Sequence, residues 1–407
     1  MKYYDESKVY LEKRQMSDAN EHEKLLFELS GLKDAAPLEI WTAIGTNQQL
    51  AYCTHGIFRY FGKFPPPIAT QLINEYTDRT SVVYDPMSGS GTTGVEALLS
   101  GRKCILNDVS PLSVLLASVK TTYINEKALN SAANQIVDNY KPLSLDEYSF
   151  SPDSLRNHEH WFLPETEDSL RGLKYLIEKI EDEKIRNFFL ACFAATVRRV
   201  SKATTQQGRL FLDVETAEKD ALPFFKKKVE AAIKGVSCLP KNGQIKIISD
   251  DVRAIHLGDD ELADLVICHP PYFNSYKYSS INSLELSWLG EEYSKLRKKE
   301  VREFFKVGKE ENAKYYVEDM ALTLTTIADS MKKGSVMGLM IGDTMIHGNY
   351  IQVTKQLLDS VSDLFDVDLV ALRAPKYTEA AWVASQRRKG GKVGITLYDF
   401  IIILRKK

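Results

Sequence analysis

No pair of cysteines in this chain is close enough in sequence to form a CxxC motif. The five, Cys53, Cys104, Cys192, Cys238 and Cys268, are widely scattered. A zinc ribbon or a disulfide scaffold is therefore not expected, no metal site is read, and a reducing compartment fits. No apolar run is long enough to span a bilayer, and the opening MKYYDESKVY has no basic-then-apolar leader pattern. The expectation is a soluble, cytoplasmic protein without a membrane partner. An excess of one charge sign is also missing: 53 basic residues face 55 acidic ones. That balance excludes a nucleic-acid packaging protein but not an enzyme with a local basic face. Internal repeats and low-complexity stretches are absent as well.

What is present is a chain of 407 residues, 44% hydrophobic, long enough for one large domain or a domain with an insertion. Residues 1–50 are polar and are expected to form a helical extension, with a helix near 20–32. Three prolines, Pro65 to Pro67, precede an amphipathic helix at 68–76. Then comes an alternation. Residues 81–84 (SVVY) read as a buried strand, 92–100 as a helix, 103–106 (KCIL) as a strand and 111–120 as a helix. This is a βαβ pattern with a parallel sheet. From 126 to 240 the pattern turns helical, most clearly at 170–180 and 183–200. Strand patterns return at 245–248, 262–268, 336–341, 367–372 and 398–404. The expected organisation is thus a first core block at 51–125, a helical insertion at 126–240 and a second core block at 241–407. The last strands are expected to finish the sheet with an antiparallel edge.

Residues 85–97 read DPMSGSGTTGVEA. The turn follows a strand and opens a helix. Gly89 and Gly91 allow close backbone approach to a ligand. Free N–H groups at the helix start suit a carboxylate or phosphate, and Thr92 and Thr93 can cap the helix. No lysine follows as in a P-loop, and GSG is a poor match to GxGxxG. Asp108 ends the next strand, where an acid is placed to bind ribose hydroxyls. Each feature alone also fits an ordinary turn or helix cap. Together with Asp85 they indicate an adenosine-type cofactor.

A second constellation is His269-Pro270-Pro271-Tyr272, directly after a strand. The prolines freeze the backbone and end strand pairing. The carbonyls of His269 and Pro270 then point in fixed directions beside the flat face of Tyr272. Rigid acceptors and an aromatic face suit a flipped base. An exocyclic base amine is a poor nucleophile, because its lone pair is delocalised into the ring. Hydrogen bonds to rigid acceptors help localise that lone pair and stabilise the charge that develops on nitrogen.

With both motifs in view, DPMSGSGTTGVEALLSGRKCILNDVSPLS resembles the cofactor motif of the amino-type DNA methyltransferases, which form N4-methylcytosine or N6-methyladenine. DLVICHPPYFNSYKYSSINSLELSWLG resembles their catalytic motif, and FRYFGKFPPPIATQLI the segment that closes over the methionine part of the cofactor. The resemblance covers most of the chain beyond Tyr52. It implies a Rossmann-like α/β fold with a helical insertion, S-adenosylmethionine as cofactor and DNA as partner. A cognate restriction endonuclease or a defence subunit is a further possible partner. By position it implies that Asp85, Pro86, Met87, Gly89, Ser90, Gly91, Thr92 and Thr93 line the cofactor and that Asp108 holds its ribose. Asp250 or Asp251 would lie near its adenine, Lys63 and Phe64 near its methionine end. His269, Pro270, Pro271 and Tyr272 would form the catalytic pocket. Met87 stands where Phe is usual, and His269 where Ser, Asp or Asn is usual. The target base stays open, with N4 of cytosine slightly ahead of N6 of adenine. An RNA base methyltransferase and an inactive DNA-binding subunit of a defence complex are the alternatives.

Target reading is expected from the insertion, which carries Arg198, Arg199, Lys202 and Lys226 to Lys228. The basic loop 385–392 (SQRRKGGK) ranks second.

Overall fold

The computed structural model describes residues 4–155, 157–206, 209–273, 277–301, 309–374 and 395–407. The loop 385–392 lies outside the described residues. The strands are β1 Tyr10–Gln15, β2 Leu38–Ile44, β3 Val82–Asp85, β4 Lys103–Asn107, β5 Ala203–Gln206, β6 Arg209–Leu212, β7 Ile245–Ile248, β8 Ala263–Cys268, β9 Met331–Ile346, β10 Asn349–Ile351, β11 Phe365–Arg373 and β12 Ile395–Lys406.

One large sheet runs in the order β1-β2-β11-β12-β9-β8-β3-β4-β7, with β10 folded back on β9. From β7 to β9 all pairs are parallel. β12 runs antiparallel to both of its neighbours, β9 and β11. The fold is a Rossmann-like α/β sheet, as expected, but two expectations about its ends need correction. The antiparallel C-terminal strand is not an edge. Ile401, Ile402, Ile403 and Leu404 are all fully buried, and alternate residues enter the cores on opposite faces of the sheet. A strand apolar on both faces is stable only in the interior of a sheet. The edge is instead supplied by residues 1–50. These hold the helix Glu21–Ser30 but also β1 and β2, and β2 pairs parallel with β11. The polar sequence YLEKRQ of β1 fits an outer strand, where charged side chains blunt the open edge.

The helical stretch 126–240 contains the helices Glu126–Asn139, Pro164–Glu178, Glu183–Val200 and Leu222–Ser237, and also the β5–β6 hairpin. Its apolar side is not a separate core. Phe188, Phe189 and Phe193 share one buried cluster with Leu112 and Leu116 of the helix Pro111–Thr121, and with Trp288. Burial of several aromatic rings at this seam, each worth about 2–3 kcal/mol, fixes the insertion to the sheet. Among the described residues no helix is long and apolar enough to cross a membrane.

β3 is flanked by β4 on one side and β8 on the other. The chain order reverses there, and the loops after the two flanking strands diverge. Ligands of open α/β sheets bind in the crevice at such a switch point, beyond the carboxyl ends of the strands.

Candidate active site

A cleft sits at that switch point, with about 1260 Å³ of empty space, part of it open to solvent. Its walls come from the turns after β3, β4, β7 and β8, and from the segment before the helix Pro66–Tyr76.

The turn after β3 is built from its own polar groups. Gly89 and Gly91 both have positive φ. A Cβ on Gly89 would press on the Tyr60 ring at 3.1 Å, in the cleft wall. A Cβ on Gly91 would meet the Ala117 backbone at 2.9 Å. Gly91 therefore serves helix packing, not ligand approach. Asp85 is buried, accepts from Thr93 Oγ1 at 2.5 Å and from the Met87 N–H at 3.2 Å, and its carboxyl is pushed up to about 7 by burial. Asp85, Gly91 and Thr93 are thus the frame of the turn and do not line the cleft. The helix Thr92–Leu99 starts at Gly91 with no side-chain cap, so the capping expected of Thr92 and Thr93 is not made. Pro86, Met87, Gly89, Ser90 and Thr92 do line the cleft.

Asp108 lines it too. Its Oδ2 accepts the Gly89 N–H at 2.8 Å and its Oδ1 the Ser110 N–H at 2.9 Å. The carboxylate therefore ties two loops together, and the turn's N–H at Gly89 is already satisfied by Asp108. Burial raises the Asp108 carboxyl, while these N–H donors pull it back down. Asp250 and Asp251 both reach the cleft, but Asp251 is engaged by Arg253 at 2.7 Å. Asp250 is exposed and is the freer of the two carboxylates. Lys63 lines the cleft, donates to the His55 carbonyl at 3.2 Å and is pushed down to about 8 by burial.

The tetrapeptide after β8 faces the same cleft through His269, Pro271 and Tyr272. Pro270 is buried and does not line it. His269 Nε2 is 2.8 Å from Tyr272 Oη. Phe64 meets the imidazole edge-on, with ring centroids 5.5 Å apart. This apolar setting pushes His269 down to about 4, so the ring is neutral at physiological pH.

Several cleft residues carried no sequence motif. Asn107 donates to the Pro86 and Asp250 carbonyls at 3.0 and 3.1 Å and stitches three loops. A buried polar residue ending an apolar strand was its only signal. Tyr316 donates to the Pro271 carbonyl at 2.7 Å from the distant helix Asn312–Asp329, where nothing in the sequence marked it. Tyr60 and Tyr278 stack at 6.2 Å in the wall.

Of the basic residues expected to read DNA, Arg198 is committed elsewhere. Its Nε pairs with Glu285 Oε1 at 2.5 Å and its Nη2 with Oε2 at 2.8 Å, and it also donates to the Ile281 carbonyl. Arg199 is about half exposed, lies 3.6 Å from Glu218 and stacks on Phe224. Lys202 donates to the Glu159 carbonyl at 2.9 Å. Lys226 and Lys227 are exposed on the helix Leu222–Ser237.

Comparison with known proteins gives partial matches. Residues 2–117 match the DNA methylase family model for N6 and N4 enzymes. The type II methyltransferase M.MvaI of Kocuria varians is 27% identical over 274 residues, 60% of this chain and 60% of that protein. M.BsoBI of Geobacillus stearothermophilus, also a type II methyltransferase, is 26% identical over 276 residues, 60% of this chain and 54% of its own length. Over these stretches the chain resembles the amino-type DNA methyltransferases. It spans a little over half the length of these two relatives. Among solved structures, TrmN from Thermus thermophilus overlaps with a TM-score of 0.31 at 10% identity, over 84% of this chain and 49% of that one.

Proposed function

We propose that this chain methylates an exocyclic amine of a base in DNA, with S-adenosylmethionine as the methyl donor. One observation carries the reading: the turns after β3 and β4 and the tetrapeptide after β8 open into one cleft at the switch point of the sheet. The cleft fits the cofactor: Gly89 leaves the room a Cβ would fill against Tyr60, Asp108 and Asp250 offer carboxylates for hydroxyl and amino groups, and Lys63 offers a cation for a carboxylate. When bound, S-adenosylmethionine supplies a methyl group on a sulfonium, a strong electrophile. The protein then has to position and polarise the amine. Tyr272 provides the face on which an extruded base stacks. The Pro271 carbonyl is already taken by Tyr316, so acceptors for the amine are sought in the segment His269 to Pro270. Position 269 carries neither Asp nor Asn, and we place N4 of cytosine ahead of N6 of adenine on that ground. Sequence reading is assigned to the stretch 126–240, with Arg199, Lys226 and Lys227 as phosphate contacts, in a restriction-modification setting with a cognate endonuclease.

The test incubates the full chain with methyl-labelled cofactor and either plasmid DNA or RNA, then digests the nucleic acid and identifies the labelled nucleoside. N4-methylcytosine is expected. Label in N6-methyladenine corrects the base, and label only in RNA corrects the polymer. Cofactor binding with no transfer to any nucleic acid refutes the enzyme and favours an inactive DNA-binding subunit.

A further inference from the structure

The helix Pro111–Thr121 carries a buried stripe at a spacing of four residues: Leu112, Leu116 and then Lys120, all fully buried. A lysine on such a stripe takes its ammonium out of water, which is costly unless the charge is paired. Among the described residues Lys120 pairs with no carboxylate. Its Nζ donates to the Ser90 carbonyl at 2.9 Å and to Ser90 Oγ at 3.1 Å, two neutral acceptors. The carboxylates of the neighbouring elements are held by other donors. Glu96, on the helix that begins just after Ser90, accepts from Tyr52, His55 and Thr70, each at 2.7 Å. Asp85 is held by Thr93 and Met87, and Asp108 by Gly89 and Ser110.

Ser90 stands between this lysine and the cleft. It lines the cleft, and its hydroxyl makes no other hydrogen bond among the described residues. The Lys120 carbonyl accepts from Thr54 Oγ1 at 2.8 Å, and the carbonyl of the next residue, His55, accepts from Lys63 Nζ at 3.2 Å. One short segment thus fixes Lys120 and brings Lys63 to the cleft. The charge on Lys120 decides where the single Ser90 hydroxyl proton points. An ammonium only donates, so Ser90 Oγ accepts from it and the proton is left for an acceptor in the cleft. A neutral amine has a lone pair, to which the hydroxyl can donate, and then nothing is offered to the cleft. Burial and the nearby Lys63 both favour the neutral amine. An anion beside Ser90 favours the ammonium, because it takes the hydroxyl proton and supplies the missing counter-charge.

We propose that Lys120 is a positioning residue that turns the Ser90 hydroxyl into the cleft as a donor to a carboxylate, and that it gains a proton from solvent as that carboxylate binds. No covalent bond to the ligand forms. The carboxylate is that of the methionine portion of the cofactor, received by Ser90 and Lys63 together; this assignment rests on the methyltransferase reading. A lysine that only braced the turn would take up no proton, and its loss would weaken ligands with and without the carboxylate alike.

The test is calorimetry of the full chain at pH 7 with S-adenosylhomocysteine and with its decarboxylated form, in two buffers of different ionisation heat. At that pH Lys63, pushed down to about 8, is about nine-tenths charged, and His55, pushed down to about 4, is neutral, so neither supplies a full proton. Asp85, raised to about 7, is common to wild type and variants and cancels in their difference. Wild type is expected to prefer the carboxylated ligand by about tenfold or more and to take up about half a proton or more with that ligand alone. Ser90→Ala and Lys120→Met should each cut the preference to about threefold or less, with affinity for the decarboxylated ligand within about threefold of wild type. The combined variant should fall no further than either, the coupling expected of one functional unit. Proton uptake should vanish in Lys120→Met. An unchanged preference in Ser90→Ala, which leaves the lysine in place, would overturn the inference even where Lys120→Met fails to fold. So would equal uptake in Lys120→Met and wild type, or an equal loss for both ligands. Wild type that binds neither ligand would overturn the methyltransferase reading, and the assigned carboxylate with it.

Discussion

Replacing Arg198 by alanine should destabilise the protein far more than it weakens DNA binding. Glu285 is fully buried, and the Arg198 side chain is 18% exposed. The pair meets fork to fork, with both carboxylate oxygens engaged. Arg198→Ala would leave a buried carboxylate with its principal partner gone, and breaking such a pair by removing one member costs about 3–5 kcal/mol. Typical folding stabilities are about 5–15 kcal/mol, so the loss is a large part of the whole. The Arg198 guanidinium also lies over the Phe61 ring at 5.5 Å and bonds the Ile281 carbonyl. The damage should therefore spread to the segment leading to Lys63 and to the one following Tyr278. Equilibrium denaturation in urea, with the free energy extrapolated to water, measures the effect. Two controls sharpen it. Arg198→Met combined with Glu285→Leu removes both charges and should recover most of the loss. Arg199→Ala, at a half-exposed residue, should change stability by less than about 0.5 kcal/mol yet lower the salt dependence of DNA binding. A loss below about 1 kcal/mol in Arg198→Ala, with weaker DNA binding and a shallower salt slope, would refute this account. It would make Arg198 a phosphate contact after all.

At Asp108, alanine strips the acceptor from the Gly89 and Ser110 N–H groups as well as from the ligand. Each unsatisfied donor costs about 1–3 kcal/mol, so Asp108→Ala should lose both melting temperature and cofactor affinity. Asp108→Asn, which keeps one acceptor, should fall between it and the wild type. Equal affinity of all three in calorimetry would remove Asp108 from the cofactor site. Tyr272→Ala should lower methyl transfer at least tenfold, because base stacking contributes about 1–3 kcal/mol, and leucine should be partly tolerated; unchanged turnover in the alanine variant would end the stacking role. Burial pushes His55 down to about 4 from an ordinary value near 6.5. Its protonation therefore favours the unfolded chain: its contribution is whole above about pH 6.5 and is lost as pH falls through about 4, up to about 3 kcal/mol. Asp85 and Asp343, raised to about 7 and about 6 by burial, trend the opposite way in any variant. The telling quantity is thus the difference between wild type and His55→Gln, which should shrink on acidification across that window. A difference independent of pH would show that His55 is not buried neutral.

The parts of the site that could be read from the sequence are those in which neighbours along the chain are neighbours in space. A glycine-rich turn leaving a strand, an acid closing the next strand and a proline-frozen tetrapeptide each hold their chemistry within a few residues. All three fall at the carboxyl ends of parallel strands, where the fold gathers them. Asp85 and Thr93 belong to the same motif, but the motif cannot say which of its polar groups face the ligand and which hold the turn. That depended on the buried bond between them. The outer strands were missed because β1 is a charged edge, whose composition reads equally well as a solvated helix or loop.

Arg198 could have been read correctly. It follows Ala191 and Ala194 at spacings of three and four, so all three lie on one face of the helix Glu183–Val200. Ala191 and Ala194 are fully buried. An arginine on that stripe needs a buried carboxylate, and a solvated phosphate contact belongs on the face of Arg199, a third of a turn away. Asp399 is different in kind. It sits in a strand whose other inward positions are apolar, and an acid there reads as a solvent-facing residue until its partner is known. That partner, Arg373, comes from β11. The internal placement of β12, antiparallel between β9 and β11, sets that acid opposite Arg373.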